Sequence, residues 1–139
     1  MGRVFFNTRK NMVDVGAAKT LIPSDSGSVF VINQASAYEI TLPLMSTIED
    51  GWNCEFIIST ADTNNVTIAN HTDEDTIVGM VSYSDTDTSN AAAATAETAV
   101  DEVVFVSGAK LGDTVRIVAN GANYFATAQA HDAAHITIS

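Results

Sequence analysis

The chain has 139 residues, 17 of them acidic and six basic, with one cysteine and a formal net charge of −11. That length predicts one domain with a real core; 46% apolar and 17% charged residues argue against disorder, and a single cysteine excludes an internal disulfide framework or a cysteine-based zinc site. No apolar run approaches the roughly 18 residues that span a bilayer, and the N-terminus lacks a signal-type apolar block, so a soluble protein with no membrane contact and no secretion signal is expected.

Residues 1–19 read as an extended basic arm and residues 20–139 as a single β-sandwich domain. Residues 1–20 hold Arg3, Arg9, Lys10 and Lys19 against Asp14 alone, a net +3, and the remainder carries −14. A body so acidic repels phosphate backbones, so no nucleic-acid partner is expected. The basic arm points to an acidic protein partner or to a solvated tail.

After the turn formers Ser24 to Gly27, the stretch Ser28 to Asn33 reads as a strand apolar on both faces. Tyr38 to Leu42 alternates apolar and polar before Pro43, which ends a strand. Cys54, Phe56 and Ile58 share one face of a third strand, and Val66 and Ile68 make a short fourth. Ile77 to Val81 make a fifth, with Gly79 read as a bulge. Ser82 to Val100 breaks the pattern: its Ala-rich run lacks an apolar stripe, so a long loop with at most one helical turn is expected. Val103 to Val106, Val115 with Ile117, Tyr124 to Ala128, and Ile136 with Ile138 complete the set. Asn120-Gly121 between two of these runs predicts a type I′ hairpin turn. The fold class predicted is all-β: an antiparallel β-sandwich, jelly-roll-like, or a flattened barrel.

Few residues suggest chemistry. His131 and His135 have i, i+4 spacing, but they run into a strand-like segment and lack the Glu of a zinc-protease motif, so ordinary surface or half-buried histidines are expected. Asp73 to Asp75 and Asp85 to Ser89 look superficially like calcium ligands. The second run lacks the turn Gly and the bidentate Glu of an EF-hand, and a solvated acidic loop is expected. Cys54, between Trp52 and Phe56, reads as a small buried hydrophobe with no neighbouring cation to activate it. Gly108 to Gly112 places Lys110 between glycines, yet it joins two strands rather than a strand and a helix, so phosphate binding is not expected. No catalytic residue, metal site or cofactor is predicted, and the chain is not expected to be an enzyme.

The run Ser24-Asp25-Ser26-Gly27, Val29-Phe30-Val31-Ile32-Asn33, then Ile40-Thr41-Leu42-Pro43 and Gly51 to Ile58, resembles a β-module recurrent in tailed-bacteriophage virion proteins. Gly112-Asp113-Thr114-Val115-Arg116-Ile117 followed by Asn120-Gly121-Ala122-Asn123-Tyr124 is similar to the hairpin of that module, with Tyr124 in its aromatic place. The resemblance covers roughly residues 20–128. It implies a capsid decoration (cement) protein on the outer surface of the head, a homotrimer or similar small oligomer, whose partner is the major capsid protein. In that reading the arm is the clip. Arg3, Arg9 and Lys10 pair with acidic capsid residues, Val4, Phe5 and Phe6 fill an apolar groove, and the arm adds to a capsid sheet edge. The alternative carried alongside is a tail or fibre adhesin that stacks a host glycan on Trp52, Tyr83 and Tyr124, although two of these are expected in or beside the core.

Overall fold

The computed structural model describes residues 10–71, 76–83 and 93–139, with the backbone alone for 93–99. Twelve strands form a seven-stranded and a five-stranded sheet that enclose one hydrophobic core. The expected all-β, two-sheet class is what the chain adopts.

The first six strands alternate between the sheets. β1 (Asn11–Val15), β3 (Ser28–Asn33) and β5 (Asn53–Thr60) lie side by side in the first sheet; β2 (Lys19–Thr20), β4 (Tyr38–Thr41) and β6 (Val66–Ala69) do so in the second. All of these pairings are parallel. The chain therefore climbs in three rungs, each laying one strand on each sheet, where purely antiparallel pairing was expected. A parallel neighbour needs a crossover, and here each crossover is the strand of the opposite sheet. Like residues stack in columns as a result. Val13, Phe30 and Phe56 share one row, with the two rings stacked 5.3 Å apart. Val15, Ile32 and Ile58 share another, and Ile40 pairs with Ile68 on the second sheet.

The third rung is closed by antiparallel strands: β9 (Glu102–Phe105) on β6 and β10 (Thr114–Ala119) on β5. β11 (Tyr124–Ala130) pairs with β10, β7 (Ile77–Tyr83) lies parallel to β11, β8 (Ala93–Val100) lies antiparallel on β7, and β12 (Ile136–Ile138) lies on β9. β10 and β11 are the clearest cases of period-2 reading: Val115, Ile117 and Ala119 face Tyr124, Ala126 and Ala128 from the buried side, and the residues between them are exposed or half-buried.

Four local expectations change. Of the arm drawn as 1–19, residues 11–15 and Lys19 belong to strands of the two sheets; in β1, Val13 and Val15 extend the apolar columns of β3. Residues 93–100 form β8 rather than loop, since pairing with β7 overrides alanine's helical preference; residues 84–92 lie outside the described set. Gly79 is not a bulge. The irregularity falls one residue earlier, between Ile77 and Val78, and Gly79 instead leaves room for Ile138, whose Cδ1 would sit 2.8 Å from an added Cβ. The β10–β11 hairpin closes at Ala119 and Tyr124, so four residues span it rather than two. Asn120 Oδ1 accepts the amides of Ala122 and Asn123, and Gly121 takes φ of 76°.

Candidate functional site

The most chemically distinctive constellation is built around Asp113. It ends the Lys110–Asp113 turn just ahead of β10 and is fully buried. Oδ2 accepts the Lys110 amide at 2.8 Å, and Oδ1 accepts the His131 amide at 2.9 Å and lies 2.5 Å from His131 Nδ1. His135 Nδ1 stands 3.2 Å from Oδ2. It is near enough for an ion pair when protonated but misaligned for a hydrogen bond, so it is a buried nitrogen without a hydrogen-bond partner. A carboxylate only accepts, so the His131 Nδ1–H is the donor to Asp113, on a side chain that is 60% exposed.

The i, i+4 histidines thus converge from the β11–β12 connection on one carboxylate, at the wall of an open cavity of about 1090 Å³. Lys110, Gln129 and Asp132 also line it, and among the described residues no hydroxyl or thiol side chain does. Among the described residues no group of three or more His, Cys, Asp or Glu side chains is arranged to hold a metal ion. The contacts of the cluster also tie the fold together. A buried charge is retained where donors satisfy it, and here the donors come from separate stretches of chain. The Lys110–Asp113 turn is thereby stapled to the segment that delivers β12.

The second surface of interest is the β1 end of the sandwich. Among the described residues β1 ends its sheet and is bonded only to β3. Met12 on its outer face is 66% exposed, and Asn11 and Asp14 are exposed. Lys10, the one arm candidate inside the described residues, forms an ion pair with Glu55 of β5, and Arg116 stands 3.8 Å from the same carboxylate. Arg3, Val4, Phe5, Phe6 and Arg9 lie outside the described residues, as do Asp73 to Asp75 and Asp85 to Ser89.

Other candidates resolve as core. Cys54 is buried, and burial, with the charge of Asp25 adding to it, pushes its thiol well up. Trp52 and Tyr124 are 4% and 0% exposed and meet edge to face. Trp52 Nε1 donates to the Pro23 carbonyl and the Tyr124 hydroxyl to that of Pro43. Two of the three proposed stacking groups are therefore structural, and Tyr83 is half-buried. Gly108 and Gly112 serve turns at positive φ around the buried Ala109.

The chain matches no family model, no curated protein and no solved structure. The fold and these surfaces define an acidic, all-β, two-sheet protein.

Proposed function

We propose that this chain is a non-enzymatic structural protein of a bacteriophage virion, which binds the outer surface of the capsid and stabilises contacts between major capsid protein subunits. The supporting observation is the contrast in charge along the sequence. Residues 1–20 carry a net +3 and the remainder −14, and the basic, aromatic residues 1–9 shortly precede in sequence β1, which among the described residues is an edge strand of the larger sheet. Arg3 and Arg9 supply charge for an acidic partner, and Val4, Phe5 and Phe6 supply apolar contact. Extended segments bind sheet edges through main-chain hydrogen bonds without demanding one sequence. The acidic body is suited to an outer surface, away from packaged DNA.

The experiment is co-sedimentation with capsids of the phage that encodes the chain. Since β1 begins at Asn11, the informative deletion removes residues 2–9 and spares the sheet. Capsid binding is expected to weaken at least about tenfold, equivalent to roughly 1.4 kcal/mol. Undiminished binding by the truncated protein contradicts the proposal.

A further inference from the structure

We propose that the free edge of β1 is a self-association edge, to which a second copy of this chain adds its own β1 antiparallel across a twofold axis at Met12. The proposal concerns the protein alone in solution and does not depend on the capsid reading.

Exposed edge strands template pairing unless they are blunted by shortness, inward charge, proline or a bulge. The other edges of the two sheets carry such devices. β2 has two residues, and its Lys19 shares the row of the core-facing Ile40. β12 has three residues. β8 carries a register irregularity against β7. β1 has none of these. Its five residues pair with β3 in unbroken register, and its core-facing positions include Val13, half-buried, and Val15, buried.

The charge pattern selects the occupant. Side chains alternate along a strand, so Met12 and Asp14 share the outer face, and Lys10, one residue before β1, reaches Glu55 on that same face of the sheet. In an antiparallel pair centred on Met12, residue 10 of one copy stands directly opposite residue 14 of the other. Lys10 then faces Asp14 of the second copy twice, on either side of a Met12–Met12 contact. This is the self-complementarity that an isologous interface requires, and opposite charges placed across strands stabilise the pair. In the dimer Lys10 exchanges its ion pair with Glu55 for Asp14 of the second copy, and Arg116 remains 3.8 Å from Glu55. Val13 gains the cover that its own sheet does not give it.

The test is the mass and dissociation constant of the full chain by analytical ultracentrifugation at physiological salt, with circular dichroism to confirm folding. Wild type is expected to form a concentration-dependent dimer. Met12→Lys sets like charges at the axis and is expected to raise the dissociation constant at least about tenfold. Lys10→Asp and Asp14→Lys alone are expected to weaken the dimer, and the double exchange to restore it, which loss of folding would not do. A wild-type monomer at every concentration reached overturns the proposal. So does a trimer, or association that is indifferent to Met12→Lys and to the charge exchange.

Discussion

Asp113 shows how one side chain governs a distant part of the chain. Its carboxylate satisfies the amides of Lys110 and His131 and the His131 imidazole, so removing it strands buried donors, at about 1–3 kcal/mol for each unsatisfied group. Asp113→Ala is expected to cost about 2–4 kcal/mol by urea denaturation. His131→Ala, at an exposed ring, is expected to cost less than half of that; equal losses would show that the imidazole, not the carboxylate, is the staple. The convergence was not legible beforehand. The His131–His135 spacing is visible in the sequence, but the carboxylate lies 18 residues before the nearer histidine and arrives through the β10–β11 hairpin, a contact that no local spacing encodes. Cys54 was legible, because an apolar strand with no cation nearby predicts an inert thiol. It is expected to resist a thiol reagent in the native state and to react on unfolding; rapid native labelling would contradict its burial.

At the scale of elements, strands were legible where one face is buried and the other is not. β4, β10 and β11 follow strict alternation, and the apolar run of β3 marks burial on both sides. β1, β2 and β8 were not legible, for different physical reasons. β1 carries Asn11 and Asp14 beside a basic stretch, so its two valines did not stand out. β2 is two residues long, below any periodicity. β8 reads as alanine-rich and helical until β7 pairs with it. Parallel pairing was equally hidden, since period-2 patterning is the same in either direction and only the alternation between sheets reveals the rungs. Gly79 links two elements: a Cβ there meets Ile138 Cδ1 at 2.8 Å and the Ala126 carbonyl at 3.1 Å. Gly79→Ala is expected to cost about 1–3 kcal/mol through overpacking and to speed hydrogen exchange in β12 (Ile136–Ile138) selectively. Unchanged exchange in β12 would show that Ile138 does not depend on that close approach.

For the whole molecule, the rungs, the antiparallel strands β9 and β10 that close them, and the Asp113 contacts surround one core in an acidic chain. The single core explains why Trp52 and Tyr124 serve packing rather than ligand stacking. The basic N-terminal stretch stands apart from the rest of the chain in charge. The attachment role we propose rests on that polarity, and two such stretches on one dimer would reinforce each other through effective concentration. Salt should weaken the attachment, because exposed charges separated by more than about 8 Å are screened near physiological ionic strength. The most direct test of the proposal is electron microscopy of virions of the phage to which it assigns this chain, with gold-labelled antibody against the chain. The account predicts label distributed over the outer surface of the head. Label confined to the tail, or virions that carry none, would contradict it.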